Sequence, residues 1–389
     1  MEKTRQLNKK ASKVLAWSTY VLILFEMLYM STPFAVFFYS VYRFPLQLLN
    51  QNDASAWLVQ NVLPHFAKTG SGLINTLLYV SWPLMGLGLL IFLVGFIQIY
   101  GSKLMKKGAV QGGLYRLIRH PQYTGLAIFG LGMSMFWSRM IVILMYVTML
   151  FVYYFLARTE EKECLEKYGD NYQIYFEQTG RFLPKFGSNK QRTKNDFWPE
   201  NATKRVLAFF VLYFLLIASV SGLGLLLRTY TLSQISTISE KNIAAISLYP
   251  MAAPRMTEIV SIARNDIKVT KALKPYSGTD AKKLIIYIIP SQWHVPELAM
   301  ETKINAERRE HGFNPTSHGN PENFNRNLYK VLISKAIVDP RAQGKEILFK
   351  AKAQKPILIV NVDAGIKKVT GIDIPPEEGK YADIPVPLF

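Results

Sequence analysis

Long apolar runs decide what this chain can fold into. They cover residues 14–40, 73–100, 121–137, 140–157 and 206–227. Each is near the ~20 residues that carry a helix across a bilayer, with the third and fourth at the short end. Only Ser138 and Arg139 separate those two, which predicts a tight antiparallel hairpin. The first run is too long for a signal-peptide core of roughly 7–15 residues and has no clear cleavage site, so it reads as a retained helix. The expected fold is an α-helical membrane protein with about five transmembrane helices and a C-terminal soluble α+β domain.

Charge supports that class and sets a direction. Lys and Arg number 46 against 27 Asp and Glu, a formal net charge of +19. With the apolar residues gathered into runs, this excess fits anionic lipid headgroups, and no nucleic-acid partner is expected. Lys3, Arg5, Lys9, Lys10 and Lys13 precede the first run, and Lys103, Lys106, Lys107, Arg116 and Arg119 follow the second. The intervening loops carry few: Arg43 and Lys68 in one, Arg139 in the other. The positive-inside rule places the N-terminus in the cytoplasm and, after five spans, the C-terminus outside it. The loop after the first run, "NDASAWLVQNVLPHF", reads as a short helix in the outer interface, with Asp53 as its N-cap.

From about Thr229 the pattern changes. "KKLIIYIIP", "EILFKAKAQ" and "KPILIVNVD" read as strands, and "PELAMETKINAERRE" as a helix. The domains are therefore 1–228 in the membrane and 229–389 as a soluble, extracytoplasmic α+β domain with an unknown ligand. Cys164 is the single cysteine, so there is no intrachain disulfide and no thiolate metal site. His294, His311 and His318 match no metal-ligand spacing, and no metal is expected. Asn314 is followed by Pro, which removes a usable glycosylation sequon; a bacterial inner membrane fits. Glu26, deep in the first run, must face protein or water. Gly86 and Gly88 fit close helix packing.

Two stretches carry chemistry. In "GLYRLIRHPQYTGL", 113–126, Pro121 opens the third run, with Arg119 and His120 at its mouth and Tyr123 and Gly125 within the next turn. Gly125 lets another backbone, or a ligand, approach closely. Arg, His and Tyr at such a position also serve as plain interfacial anchors. In "LARTEEKECLEKYGDNYQIYFEQTGRFLP", 156–184, the fourth run leads straight into Glu160 and Glu161. Adjacent helical positions point about 100° apart, so one carboxylate can take an ammonium group and the other a pair of ribose hydroxyls. A solvated helix face is the alternative. Gly169 ends that helix, Asp170 or Asn171 caps the next, and Tyr172, Tyr175 and Phe176 form an aromatic face for the interface.

Together, "GLYRLIRHPQYTG", an apolar hairpin, "EEKECLEKYGDNYQIY" and "RFLP" resemble the isoprenylcysteine carboxyl methyltransferases, which belong with the phospholipid methyltransferases. The resemblance covers 73–184 and departs at Leu114, where many relatives have Pro. It implies membrane-embedded methyl transfer from S-adenosylmethionine to a lipid or lipid-linked acceptor, carboxylate or amine, at the cytoplasmic interface. It implies a cofactor site built from Tyr115, Arg119, His120, Tyr123 and Gly125 with Glu160 and Glu161. It also implies a catalytic part for Arg181 and Glu161, with Arg181 near the lipid headgroup. Two other readings remain open. One is an NADPH-dependent membrane reductase on a similar helical core, and the other a non-enzymatic anchor for the outer domain.

Overall fold

The computed structural model describes Trp17, Val21 and residues 44–65, 67–105, 109–185, 202–276, 282–293, 295 and 322–375. The first apolar run with Glu26, the three histidines at 294, 311 and 318, and "PELAMETKINAERRE" lie outside the described residues. The chain divides into two compact units: Met1–Ser31 with Thr76–Leu226, and Thr32–Asn75 with Leu227–Phe389.

The first unit is helical. We label its helices α1 (Gly72–Leu104), α2 (Pro121–Phe136), α3 (Met140–Tyr168), α4 (Asp170–Gln178) and α5 (Ala202–Ser233). Among the described residues, three helical segments are long and apolar enough to cross a membrane: Gly72–Ser102, Met140–Tyr168 and Val206–Ser233. Helix α2 has 16 residues. At 1.5 Å per residue it is about 24 Å long, short of a ~30 Å hydrocarbon core. The link between α2 and α3 is tight, as its two-residue spacing predicts, but it is not a solvent loop. Ser138 and Arg139 are almost fully buried, so Arg139 is not the loop charge that its position suggested.

Helices α1 and α2 cross at glycines. A Cβ on Gly125 would lie 2.6 Å from the Phe92 backbone nitrogen and 2.8 Å from the Gly88 carbonyl oxygen. One on Gly132 would lie 2.7 Å from the Ser81 carbonyl. Gly88 faces Gly125 and Phe129 in return, whereas Gly86 meets nothing within 4 Å. Small residues thus let two backbones touch along this seam.

The second unit is α+β. Its sheet has six strands in the order β1 (Thr237–Ser239), β2 (Ile243–Ser247), β3 (Leu284–Pro290), β4 (Leu328–Ile337), β5 (Ala353–Asp363) and β6 (Lys368–Asp373). Neighbours are antiparallel except β2 and β3, which are parallel. That parallel pair requires a crossover, supplied by α6 (Ala253–Asn265) and α7 (Ile267–Leu273). Met256, Ile259, Val260 and Ala263 recur at helical spacing and are the buried stripe of α6. Every residue of β3 is buried, which explains its unbroken apolar sequence. "EILFKAKAQ" is not a strand: Glu346–Lys350 forms a short helix, α8, and β5 begins only at Ala353.

The loop after the first run folds with this unit. Ala67 is part of the sheet's core. The Lys68 and Gly70 backbone N–H groups donate to Leu248 and Gln234 carbonyls, both at 2.9 Å. Val59, Val62 and Leu63 are buried, in and after a 3-10 turn at Ala56–Val59. Asp53 is no cap; its carboxylate meets Lys352 Nζ at 2.6 Å. Trp57 and Leu58 of this segment are half-buried.

Candidate functional site

The site is assembled from three pieces of backbone. Pro121 starts α2, with His120 as the residue before the first turn. Helix α3 carries Glu160 and Glu161 beyond its apolar part. Gly169, at φ +54°, turns the chain directly from α3 into α4. No residue in between allows a side-chain cap, so neither Asp170 nor Asn171 plays that part; Asp170 is already in α4.

The segment after α4 returns to the start of α2. Arg119 N–H donates to the Gly180 carbonyl at 2.8 Å, and His120 N–H to the Arg181 carbonyl at 3.1 Å. Thr124 Oγ1 donates to the Phe182 carbonyl at 3.1 Å. "RHPQYTG" and "GRFLP" are thus stitched side by side, which brings the two motifs together.

The acidic pair divides its work. Glu161 is buried, and its carboxylate accepts from Arg119 Nε at 2.8 Å. It also accepts from Arg181, through Nη2 at 2.5 Å and Nε at 3.0 Å. Arg119 is committed further, to the Phe176 carbonyl at 2.7 Å, the Thr179 carbonyl and the Phe176 ring at 4.3 Å. Arg181 lies over the Tyr154 ring, 5.1 Å from its centroid. Charge-assisted bonds of this kind make a clasp.

Glu160 is different. Its side chain is 34% exposed. It accepts from Tyr123 Oη at 2.7 Å and stands 3.4 Å from His120 Nδ1. His120 Nε2 is 3.3 Å from Glu161 Oε1 but is not aligned for a hydrogen bond. Burial of the imidazole disfavours its charge, yet the nearby Glu160 and Glu161 carboxylates outweigh this and raise its pKa above the ordinary histidine value. His120 stacks on Tyr123, and Tyr123 on Tyr153, at 5.6 and 5.4 Å between centroids.

A cavity of about 530 Å³ opens on these groups. Tyr115, Arg119, His120, Tyr123 and Glu160 line it. Glu161 and Arg181 are absent from that lining and form the clasp beside it. Gly125 is absent too and belongs to the α1–α2 crossing. The sequence reading missed Gln122, Cys164, Lys167, Tyr168, Tyr172 and Tyr175, all of which line the cavity. Glu160, Cys164 and Lys167 recur at i, i+4, i+7 on α3, the spacing of one helix face, and that signal was legible. Tyr172 and Tyr175 are buried here rather than spread on an interface, and Tyr175 Oη donates to the Tyr115 carbonyl at 2.7 Å. Burial pushes the Tyr175 phenol up to about 12 and those of Tyr115 and Tyr172 higher still. The phenols are therefore neutral at physiological pH. A second cavity of about 700 Å³, lined by Arg116, Asn171 and Gln178, shares Ala109, Tyr168 and Tyr175 with the first. Among the described residues, no group of His, Cys, Asp and Glu is placed to hold a metal ion.

Residues 79–171 match the phospholipid methyltransferase family. A methanethiol S-methyltransferase from Pseudomonas deceptionensis is 28% identical over 151 residues, 35% of this chain and 52% of that protein. A protein of the same name from Pseudomonas sp. (strain GM41) is 29% identical over 137 residues, 32% of this chain and 50% of that one. The chain spans about half the length of these curated relatives. No solved structure matches it. Over this segment the chain is similar to the phospholipid methyltransferases and to these methanethiol S-methyltransferases.

Proposed function

We propose that this chain is a member of the phospholipid methyltransferase family and moves a methyl group from S-adenosylmethionine to an acceptor drawn from the bilayer. The observation that carries the proposal is the convergence of His120, Tyr123 and Glu160 on one tyrosine-lined cavity. Its volume, about 530 Å³, falls within the roughly 300–1,000 Å³ of small-molecule sites. The donor set suits the cofactor. A partly exposed carboxylate, Glu160, suits an ammonium group, and phenol faces suit a sulfonium and an adenine ring. The buried His120 Nε2 has no aligned acceptor and is available to one.

When bound, the cofactor supplies an electrophilic methyl group. The chain's own residues hold and orient. Glu160 is the ammonium ligand, kept in place by Tyr123 and His120. Tyr115, Tyr172 and Tyr175 form the wall. Arg119, Glu161 and Arg181 fix the loop that carries His120, and Glu161 and Arg181 act on the site by positioning that loop. Positioning of this kind is what an in-line displacement needs most. The two carboxylates beside His120 favour its charged form, and an acceptor that needs no base, such as a carboxylate, fits that bias. The acceptor is a lipid or a lipid-linked molecule. The relatives are named for methanethiol, which makes a small thiol the second acceptor class to test.

The surrounding architecture in this proposal keeps five spans, with 1–228 as the membrane domain and 229–389 as an extracytoplasmic domain in a bacterial inner membrane. The test is titration calorimetry on the full chain in lipid nanodiscs. S-adenosylmethionine should bind and NADPH should not, and Glu160→Gln should weaken the binding. Lipid extracts and methanethiol, offered with the cofactor, then identify the acceptor by methylated product. Tight NADPH binding without cofactor binding would favour the reductase reading.

A further inference from the structure

The second cavity of the helical unit, about 700 Å³, is lined differently from the first. One wall is a single face of α4, where Asn171, Ile174 and Gln178 recur at helical spacing. The other comes from the connection between α1 and α2. Gln111 lies there, followed by a 3-10 turn, Gly113–Arg116, whose last residue reaches the cavity. The two walls are tied together: Tyr175 Oη on α4 donates to the carbonyl of Tyr115, next to Arg116, at 2.7 Å. The turn is also tied to α1. The Leu114 N–H donates to Gln98 Oε1 at 3.3 Å, and Tyr115 Oη to the Gly95 carbonyl at 3.4 Å. Tyr168 and Tyr175 line both cavities and form a common wall.

Among the described residues that line this cavity, Arg116 alone is charged, whereas the first cavity holds Glu160. Acids on the neighbouring helices are engaged elsewhere. Glu161 is held by Arg119 and Arg181, Glu177 accepts from Gln173 Nε2 at 2.6 Å, and Glu166 stands 4.0 Å from Lys162. Among the described residues, Arg116 has no carboxylate within 4.0 Å. The side chains of Gln111, Arg116, Asn171 and Gln178 have no hydrogen-bond partner in the protein. Exposed side chains of these types are ordinary one at a time. Here four with unused donors face one cavity whose walls are fixed, with no acid among them.

We infer that the second cavity binds a phosphate monoester, carried by a lipid headgroup or by a soluble small molecule. The donors favour phosphate over carboxylate. A guanidinium fork takes two oxygens side by side. That exhausts a carboxylate, whereas a phosphate monoester keeps a third terminal oxygen for the amide N–H groups of Gln111, Asn171 or Gln178. The volume exceeds what a bare phosphate fills, and the exposed Ile174 offers the esterified group an apolar contact. With Tyr168 and Tyr175 as the common wall, the ligand lies beside the proposed cofactor cavity and is not the methyl acceptor. The binding claim does not depend on methyl transfer.

The experiment is titration calorimetry on the full chain in detergent micelles at about pH 7.5, where a phosphate monoester is mostly dianionic. The probes are glycerol 3-phosphate, a soluble ester, and phosphatidic acid, the same ester on a lipid, with acetate and glycerol beside them. At least one phosphate probe should bind, acetate at least tenfold more weakly, and glycerol not at all. Binding of phosphatidic acid alone assigns the site to a lipid headgroup; binding of glycerol 3-phosphate assigns it to the phosphate ester itself. Arg116→Gln should weaken binding at least tenfold. Lys162→Gln removes the same charge from an exposed side chain outside the cavity and should leave binding within twofold. Arg116→Gln should melt with the wild type, since its side chain loses no partner. Absence of binding by both phosphate probes overturns the inference, and so does acetate binding within tenfold. An equal loss in Arg116→Gln and Lys162→Gln would make net charge the whole effect and overturns it too. Loss of binding in Glu160→Gln with binding kept in Arg116→Gln would put the ligand in the first cavity. A lowered melting temperature in Arg116→Gln overturns the premise that its guanidinium is unengaged.

Discussion

Replacing each glutamate of the adjacent pair by glutamine should produce opposite phenotypes. Glu161 is 4% exposed at its side chain and compensates Arg119, itself 7% exposed. It also compensates Arg181, which is 23% exposed. Removing one partner of a buried ion pair costs about 3–5 kcal/mol, because the other charge stays buried. Arg181 reaches some water, and a glutamine still accepts one hydrogen bond, so the lower end, about 3 kcal/mol, applies to Glu161→Gln. That is roughly a hundredfold change in the folded-to-unfolded ratio. Glu160 is a third exposed and keeps its bond from Tyr123 as a glutamine, so Glu160→Gln should cost about 1 kcal/mol or less. Pulse proteolysis in detergent reads the stability difference, and calorimetry on the folded fraction reads cofactor affinity. The expected result is a destabilised Glu161→Gln protein, and a stable Glu160→Gln protein that binds S-adenosylmethionine at least tenfold more weakly. Equal stability of the two variants would refute the clasp. Unchanged affinity in Glu160→Gln would refute its place in the cofactor site.

Gly125→Ala should force α1 and α2 apart, since its Cβ would meet backbone at 2.6 and 2.8 Å, and should cost about 1–3 kcal/mol by thermal melting. Gly86→Ala meets nothing within 4 Å and should be neutral or stabilising, by up to about 1 kcal/mol. The raised His120 pKa contributes stability that is complete below about pH 6.5 and lost as pH rises through the folded-state value. The melting temperature should therefore fall on going from mildly acid to alkaline pH, and His120→Gln should flatten that dependence. Protease added to intact spheroplasts should trim the chain beyond 227; protection until lysis would reverse the orientation.

What the sequence made legible depended on how local its cause was. The apolar runs report helix by length alone, and α1, α2, α3 and α5 appear close to where the runs lie. Pro121 marks the first residue of α2 because a proline suits that position wherever it occurs. The strand at 284–290 is apolar on both faces because it is central, and its short β-branched run says so. "EILFKAKAQ" misleads because its first half is too short for helical periodicity to show. Residues 44–71 were unreadable in a stronger sense. Ala67 packs in the core of a sheet that begins more than 160 residues later in the chain, and the backbone of Lys68 and Gly70 bonds to Leu248 and Gln234, partners that no local pattern records.

The candidate site shows the same division at finer scale. Two motifs in the right order were enough to gather Tyr115, Arg119, His120, Tyr123 and Glu160, since all five line one cavity. Composition could not separate Glu160 from Glu161. The separation comes from a 100° turn of α3: one carboxylate faces the cavity, and the other faces two arginines delivered by α2's mouth and by the segment after α4. Only a bound loop could bring Arg181 to that spot, and the bonds that bind it, from Arg119 and His120 N–H to the carbonyls of Gly180 and Arg181, are backbone bonds that no side chain announces. The guanidinium that looked free to hold a headgroup is thereby used to hold the loop. If that is its work, Arg181→Lys, which keeps the charge but loses the fork, should impair folding and cofactor binding together and leave the acceptor's Michaelis constant unchanged. Measuring initial rates against cofactor and acceptor separately decides it: a selective rise for the acceptor would return Arg181 to the headgroup.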